Sequence, residues 1–397
     1  MRRGLLGFFG VVALSAAGVV PGPAAHAASR AANGRSSRPV CGATAKGFAH
    51  CSARVVYTGA EPFTTTGPAG LTPAQIKHAY TYPTRATAGA GQTIAIVDAY
   101  DDQHAEADLG VFSKAFGLPA CTTANSCFKK VNQTGGTTLP RHNASWSLEV
   151  SLDVQWAHAV APGAKILLVE AKTNANADLF AAEDYAKTHA QYVSNSWGSG
   201  EYTSEAADDP HFSQAGVSIF AASGDEYAVA EYPSSSPNVI SVGGTTLNLD
   251  AQGNVTSETG WDRGGGGCSQ YERGHVQQIA FLDFGGLCPQ ARMTPDVALD
   301  ADPNTGVSVY DSIRTNHHVG WWIAGGTSAS TPMFVARAAV SGQVVNAATV
   351  YGNTLTFRDI TSGFNGDTLT PRGFQPSFCI VGYDTCSGRG TWIGTTP

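Results

Sequence analysis

Short runs of apolar and β-branched residues alternate with stretches of helical periodicity along most of this chain. The apolar runs occupy residues 93–97, 165–169, 192–194, 217–221 and 239–242, and they predict buried strands. The helical patterns occupy residues 104–116, 146–160, 175–190, 205–215 and 328 to about 345. Strands that are separated by helices indicate an α/β fold, in which helices cover both faces of a mainly parallel sheet.

Residues that directly follow the strands are candidates for function, because parallel sheets bind ligands beyond the carboxyl ends of their strands. Asp225 occupies such a place, after the run 217–221. A carboxyl group that stays protonated there can donate a hydrogen bond to a developing oxyanion. The alternative is a structural role in an Asx turn or as a helix cap.

A turn of small residues opens the last predicted helix, with the sequence Gly-Gly-Thr-Ser-Ala-Ser-Thr-Pro from Gly325 to Pro332. Its Ser328 is placed as a nucleophile would be, since the helix N-terminus stabilises negative charge beside it. A serine hydroxyl needs a base. None of the 11 histidines is followed by glycine, as the histidine base of subtilisins is. A plain helix cap is the alternative for Ser328.

Two carboxylates stand four residues apart on one helical pattern. Glu149 and Asp153 therefore project from one face of the predicted helix, among apolar neighbours such as Leu148, Leu152 and Trp156. Like charges held together there cannot both ionise at low cost, so one proton is shared and one pKa is raised. Glu149 can then take the serine proton at an acidic pH, where a histidine is already protonated. A solvated acidic edge is the alternative.

Composition indicates in which compartment the protein acts and which kinds of partner it binds. The chain has 397 residues and a formal net charge of −7, and its 24 Lys and Arg residues form no cluster, so nucleic-acid binding is not expected. Residues 1–27 are predicted to be a secretory signal peptide, with Arg2 and Arg3 ahead of an apolar stretch and Ala-His-Ala as the cleavage site. We expect a secreted, extracellular protein that is monomeric and not attached to a membrane.

The eight cysteines fall into pairs that are near in sequence. Local disulfides in an oxidising compartment are favoured over a zinc site, because no Cys-x-x-Cys motif occurs. The expected pairs are Cys41–Cys51, Cys121–Cys127, Cys268–Cys288 and Cys379–Cys386.

The candidate residues lie in motifs that resemble those of the sedolisin family, in the same order along the chain. Supporting matches run from about Leu71 to Gly390 and include the motifs Ser194-x-Ser-Trp-Gly198 and Pro295-Asp-Val-Ala-Leu-Asp-Ala301. Sedolisins are serine-carboxyl peptidases, so the resemblance implies a subtilisin-like three-layer fold over residues 71–397. Residues 28–70 form an N-terminal extension, too short for the large folded pro-domain of most sedolisins.

The resemblance implies a role for each candidate. Ser328 is expected to be the nucleophile and Glu149 the general base and acid, supported by Asp153. Asp225 is expected to complete the oxyanion hole together with the backbone N–H of Ser328. Some sedolisins extend their carboxylate network to two further residues, whose positions are occupied here by Asp98 and Trp197.

A calcium site near the C-terminus is also implied by the resemblance. Carboxylates and backbone carbonyls are the hard oxygen ligands that calcium takes. One structural Ca²⁺ is expected to be held by the side chains of two aspartates and by three carbonyls, from Asp359, Asp384, Ile360, Ile380 and Gly382.

The expected function is that of a secreted endopeptidase that cleaves proteins or peptides at acidic pH through a Ser/Glu/Asp triad and an acyl-enzyme. Three alternatives stay open at this point. The chain could be an inactive sedolisin-like binding or structural protein, or a tripeptidyl-peptidase. It could also be a subtilisin whose histidine is His142 or His158.

Overall fold

The computed structural model of this protein describes residues 1, 35–282, 287–352 and 354–394. The predicted signal peptide, apart from Met1, lies outside the described residues. The described strands, in chain order, are β1 (Arg35–Pro39), β2 (His50–Cys51), β3 (Arg54–Thr58), β4 (Glu61–Pro62), β5 (Thr64–Thr65), β6 (Thr93–Ala99), β7 (Phe128–Asn132), β8 (Lys165–Ala171), β9 (Tyr192–Asn195), β10 (Trp197–Gly200), β11 (Ser218–Ala222), β12 (Glu231–Tyr232), β13 (Ile240–Leu249), β14 (Val255–Gly260), β15 (Gly267–Arg273), β16 (Ala291–Thr294), β17 (Val297–Asp300), β18 (Val307–Thr315), β19 (His318–Gly325), β20 (Phe357–Arg358), β21 (Phe364–Thr370), β22 (Gly373–Phe378) and β23 (Thr391–Trp392).

The α-helices in the same part of the chain are α1 (Pro73–Ala79), α2 (Ala105–Phe116), α3 (Ala144–Val160), α4 (Asn176–His189), α5 (Val276–Phe281), α6 (Thr327–Ser341) and α7 (Ala347–Tyr351). Two short 3₁₀ turns, Glu205–Ala207 and Asp209–Phe212, lie between β10 and β11.

A mainly parallel sheet forms the centre of the molecule. Its strand order is β14-β13-β11-β9-β6-β8-β7, and β17 also pairs with β13. Only the pairing of β13 with β14 is antiparallel in this sheet. Strands β9 and β11 are buried at every position, as are β6 and β8 beyond their first residues. Such burial is typical of strands covered on both faces, and it confirms the predicted α/β class.

Two packed helices, α3 and α6, place the candidate residues against this sheet. Helix α3 begins at a cap in which the Asn143 side chain accepts hydrogen bonds from the N–H groups of Ser145 and Trp146. Every residue of α3 from Trp146 to Val160 is buried. Helix α6 packs on α3 and on β9, β11 and β13. Because α3 is buried over this length, Glu149 and Asp153 do not form a solvated acidic edge.

The N-terminal extension is built onto the rest of the fold. Strand β3 pairs with β1 on one side and with β19 on the other, while β4 pairs with β3 and β5 with β19. Strand β2 pairs separately with β10, antiparallel. The extension thus reaches both β10 and β19, the strand that leads into α6.

Most of the predicted elements are confirmed, with ends that shift by a few residues. The helix predicted over 205–215 is wrong, because this segment forms two 3₁₀ turns. Pro210 has no N–H to continue a helical ladder. The region between 242 and 328, for which the apolar pattern predicts neither strand nor helix, contains β14 to β19.

All four expected disulfides are formed, between Cys41 and Cys51, Cys121 and Cys127, Cys268 and Cys288, and Cys379 and Cys386. Among the described helices, none has the length and apolar character needed to cross a bilayer.

Candidate active site

Ser328 stands at the first turn of α6, immediately after β19. Gly326 precedes the helix with φ 89°, a conformation that favours glycine. A Cβ at this position would overlap the Ser52 carbonyl oxygen and lie 2.7 Å from Oδ2 of Asp225. The Ser328 hydroxyl is buried and donates a hydrogen bond to the Ser196 carbonyl at 3.1 Å.

Glu149 is fully buried on α3. Neither of its carboxyl oxygens has a hydrogen bond of ordinary geometry within the described residues. Burial raises the pKa of Glu149 well above its usual value, and the nearby charge of Asp153 raises it further. The Ser328 hydroxyl is close enough to oppose this rise. The backbone N–H of Ala53 opposes the rise as well, so the carboxyl group lies beside both the serine hydroxyl and this N–H.

Asp153 and Asp98 extend the buried acid group behind Glu149. Oδ1 of Asp153 accepts a hydrogen bond from the Ser196 hydroxyl at 2.9 Å. Burial raises the pKa of Asp153, while this hydroxyl opposes the rise. Asp98 lies at the end of β6, and its pKa is raised by burial first and then by the charges of Asp153 and Glu149. Burial therefore favours the protonated form of each of these three carboxyl groups.

Trp197 does not donate to a carboxylate. Its indole N–H donates a hydrogen bond to the carbonyl of Val97 at 3.0 Å, next to Asp98 in the chain. The structure brings the other predicted residues of the site together, but it gives Trp197 this backbone contact with β6.

Asp225 follows β11 and faces the start of α6. Its Oδ1 accepts hydrogen bonds from the N–H and the hydroxyl of Thr327, at 2.9 and 3.0 Å. Its Oδ2 is buried and has no partner within the described residues. Burial raises the pKa of Asp225 to about 7, against the opposing charge of Arg54 and the hydrogen bonds from Thr327. Below that pH the carboxyl group carries a proton that Oδ2 can donate.

The backbone N–H of Ser328 completes the polar groups of the site. It donates to the carbonyl of Ser52 at 3.1 Å. Sequence reasoning missed both Ser52 and Ser196. The Ser-x-Ser-Trp-Gly motif marked the region of Ser196, whereas Ser52 comes from an extension that carries no catalytic motif.

The two histidines considered as bases lie elsewhere. A ring nitrogen of His158 is 2.8 Å from the carbonyl of Pro119, and burial lowers its pKa. His142 is 3.1 Å from the carbonyl of Asp101. The hydrogen bond that Ser328 donates goes to a carbonyl and not to an imidazole.

The predicted calcium residues meet in the loop around the Cys379–Cys386 disulfide. Oδ2 of Asp384 accepts a hydrogen bond from the Ile380 N–H at 2.7 Å, and Oδ2 of Asp359 accepts one from the Gly382 N–H at 2.8 Å. No ion pair involves either aspartate in the described part of the chain. Oδ1 of Asp384 also accepts hydrogen bonds from the N–H groups of Cys386 and Ser387 and from the Ser387 hydroxyl. Carboxylate and carbonyl oxygens are the types of ligand that calcium takes.

This geometry is that of a serine-type peptidase with a subtilisin-like fold: a buried serine opens a helix that packs on a parallel sheet. The family model described as the subtilase family matches residues 129–356, more than half of the chain. Kumamolisin from Bacillus sp. (strain MN-32) is 33% identical, over 83% of this chain and 63% of kumamolisin. Sedolisin from Pseudomonas sp. (strain 101) is 36% identical, over 28% of this chain and 19% of that protein.

A solved structure of Pseudomonas sedolisin, a serine-carboxyl proteinase complexed with two molecules of pseudo-iodotyrostatin, has a TM-score of 0.68 and 28% identity, over 83% of this chain and 96% of that chain. The chain belongs to the subtilase family, in its sedolisin branch. It spans less than two thirds of the length of these curated relatives, 63% for kumamolisin and 19% for sedolisin.

Proposed function

We propose that this protein is a serine-carboxyl endopeptidase that hydrolyses peptide bonds in proteins at acidic pH. The observation that carries the proposal is the buried contact between Ser328 and Glu149, a serine whose neighbouring titratable group is a carboxyl and not an imidazole. A hydroxyl nucleophile requires an adjacent base, and Glu149 is the group placed to serve.

The proposed reaction proceeds through an acyl-enzyme. Oγ of Ser328 attacks the substrate carbonyl carbon while Glu149 takes the hydroxyl proton. Glu149 then gives this proton to the leaving amine, and a water molecule releases the acyl group by the reverse sequence of proton transfers. Asp153 supports Glu149 by sharing the protons of the buried acid group.

The oxyanion of the tetrahedral intermediate has two proposed donors. One is the Ser328 N–H, and the other is the protonated carboxyl of Asp225, whose Oδ2 has no partner among the described residues. Donors that are fixed before the reaction stabilise the developing charge without reorganisation. Because the second donor is an acid with a pKa of about 7, the site works below neutral pH.

A structural calcium ion is proposed for the loop at the C-terminal side of the site. The side chains of Asp359 and Asp384 would hold it, with the carbonyls of Ile360, Ile380 and Gly382. The ion would supply positive charge that links two loop segments, and it would take no part in the proton transfers.

We propose that the protein acts outside the cell as a monomer on protein or peptide substrates. The four disulfides support an oxidising compartment. The predicted signal peptide, whose residues 2–27 lie outside the described ranges, stays a prediction.

The proposed function is tested with purified protein and casein between pH 3 and pH 8, with products identified by mass spectrometry. We expect internal cleavage that is fastest at acidic pH and absent in Ser328→Ala. Cleavage that persists in this variant, or that is fastest at alkaline pH, would contradict the proposal. If only N-terminal tripeptides are released, the activity is that of a tripeptidyl-peptidase and not of an endopeptidase.

A further inference from the structure

The hairpin of β21 and β22 directs polar side chains inward and apolar side chains outward. Thr368 and Ser377 are each 1% exposed, whereas Leu369, Phe374 and Phe378 are 40%, 71% and 50% exposed. Side chains alternate between the two faces of a strand, so Phe374 and Phe378 project from one face and Ser377 from the other. Antiparallel strands with one buried face usually show the reverse pattern, with the apolar residues inward.

Hydrogen bonds fix the hairpin in this orientation. Oγ1 of Thr368 accepts a hydrogen bond from the N–H of Cys268 at 3.3 Å, and the side-chain amide of Asn365 donates to the carbonyl of Gly264 at 2.8 Å. Buried polar groups are costly unless they have such partners. An arrangement with the apolar face inward would break these bonds, so the apolar outer face is a fixed property of the fold.

The outer face groups its apolar side chains into two pairs. Leu369 lies directly opposite Phe374, and Phe364 lies opposite Phe378 with the ring centroids 5.0 Å apart. The exposed carboxylate of Asp367 lies on the stretch of β21 between the two pairs. Exposed apolar side chains that are grouped in this way mark interaction sites.

This hairpin stands beside the loop that carries Asp225. A Cβ at Gly366 of β21 would lie 2.9 Å from the Cβ of Tyr227, two residues beyond Asp225. Tyr227 and Val229 are themselves 47% and 50% exposed. Apolar surface therefore continues from the hairpin onto the loop of the candidate oxyanion donor.

The groove over Ser328 opens toward the same loop. The carbonyl of Ser52 accepts a hydrogen bond from the Ser328 N–H at 3.1 Å, and two residues further along the chain the guanidinium of Arg54 lies 3.7 Å from Oε1 of Glu226. Glu226 directly precedes Tyr227. A polypeptide that occupies this groove therefore presents side chains toward Glu226, on the side where the hairpin lies.

An unfolded protein is the partner that fits this surface. Proteins in acid often lose their specific packing and expose apolar surface. Contacts between apolar groups do not depend on protonation, whereas ion pairs with carboxylates weaken as the carboxylates take up protons. A stable folded partner needs roughly 800 Å² on each side, which is more than the exposed parts of three side chains supply.

We propose that the outer face of the β21–β22 hairpin binds apolar segments of unfolded protein substrates outside the catalytic groove. This inference rests on the proposed peptidase function and deepens it by naming the substrate class, chains long enough to reach both Ser328 and the hairpin. The contact is made equally before and during the reaction. It therefore lowers KM for such substrates and leaves kcat unchanged.

The first test compares two substrates at the acidic optimum, casein and a fluorogenic hexapeptide that is cut at its centre. The hexapeptide extends only about 10 Å to each side of the cleaved bond, so it does not span both sites. We expect Phe374→Ser/Phe378→Ser to raise KM for casein at least fivefold, with an unchanged kcat and unchanged hexapeptide kinetics. The matched control is Val111→Ser/Val344→Ser, which also removes two exposed apolar side chains, one on α2 and one beyond the end of α6. It should leave both substrates unchanged.

The second test measures binding without cleavage. In the Ser328→Ala background, the Kd of fluorescently labelled casein is measured by anisotropy at the same pH. Phe374→Ser/Phe378→Ser should raise this Kd at least fivefold, and the control pair should not change it. If the double variant does not fold, Leu369→Ser on the opposite strand must raise both the Kd and the KM for casein.

Each outcome separates the surface from the proposed reaction. An unchanged KM for casein in a variant that hydrolyses the hexapeptide overturns the inference and leaves the proposed function intact. Equal losses for both substrates also overturn it, because the hairpin would then support the groove itself. A wild-type dimer that becomes monomeric in the variant, with an unchanged KM for casein, would assign the face to a second copy of the chain. If wild-type protein cuts neither substrate, the proposed function fails, while casein binding by Ser328→Ala still decides whether the hairpin binds unfolded protein.

Discussion

In the proposed mechanism, the buried Asp225 sets the upper limit of the working pH. Its carboxyl must carry a proton to donate to the oxyanion, and burial raises its pKa to about 7. The donor is therefore present below that pH and is lost as the pH rises through it. Glu149, the proposed base, must instead lose a proton, so in this mechanism the two groups together limit the active pH range.

We expect Asp225→Asn to keep part of the activity, because an amide also donates a hydrogen bond, and to lose the decline of kcat/KM near pH 7. Asp225→Ala has no donor, and its kcat should fall by about 10²–10³. Profiles of kcat/KM against pH for the three proteins check this. An identical alkaline decline in wild type and Asp225→Asn would show that another group causes it.

The sequence allowed some of these residues to be predicted and not others. Helical spacing places Glu149 and Asp153 on one face, and the family motifs single out Ser328 and Asp225. Burial of that face depends on α6, which is distant in the sequence. Nothing in the local sequence around Ser52 indicates that it meets the serine, because this contact requires β3 to pair with β19, more than 250 residues away.

At the scale of elements, prediction succeeded where the signal was local. The pattern over 146–160 predicted α3 within two residues at its start, because its apolar run and the Pro162-Gly163 pair that follows it are local signals. Strand β3 depends on pairing with β19, more than 250 residues away, and was missed. The helix predicted over 205–215 does not form for a local reason, since Pro210 interrupts the hydrogen bonds that a helix needs.

The next prediction concerns the calcium ion proposed for the loop around the Cys379–Cys386 disulfide. Removal of calcium with a chelator should lower the melting temperature, because a ligand present at 100 times its Kd stabilises the folded state by about 2.7 kcal/mol. Asp359→Asn should weaken this response, and added Mg²⁺ should not restore it. Thermal melts are measured in the Ser328→Ala background, so that the proposed peptidase activity does not interfere. A melting temperature that ignores both chelator and Ca²⁺ would exclude the site.

At the scale of the whole molecule, buried carboxyl groups are expected to make the folded state more stable at acidic pH than at neutral pH. Burial raises the pKa of Glu183 to about 8 and that of Glu170 to about 9. A raised pKa means that the folded state binds the proton more tightly than the unfolded chain. The stability that such a group contributes is complete below about pH 4.5 and is lost as the pH rises through its folded pKa.

We therefore expect the free energy of unfolding to fall between about pH 5 and pH 8. Glu183→Gln should reduce this slope by up to about 1.4 kcal/mol per pH unit, since the amide does not titrate. Urea denaturation at several pH values measures the slope, with the exposed Glu61→Gln as the control. Stability that increases toward pH 8 would contradict this account.

The pairing of Ser328 with Glu149 is the central claim, and Glu149→Gln tests it most directly. Glutamine keeps the size of the side chain but cannot accept the serine proton. The decisive measurement is kcat/KM for a peptide substrate at the acidic optimum, with His142→Gln and His158→Gln as controls. We predict a loss of at least about 10²-fold in Glu149→Gln and near-normal values in both histidine variants. Full activity in Glu149→Gln, or its loss in a folded histidine variant, would contradict the account.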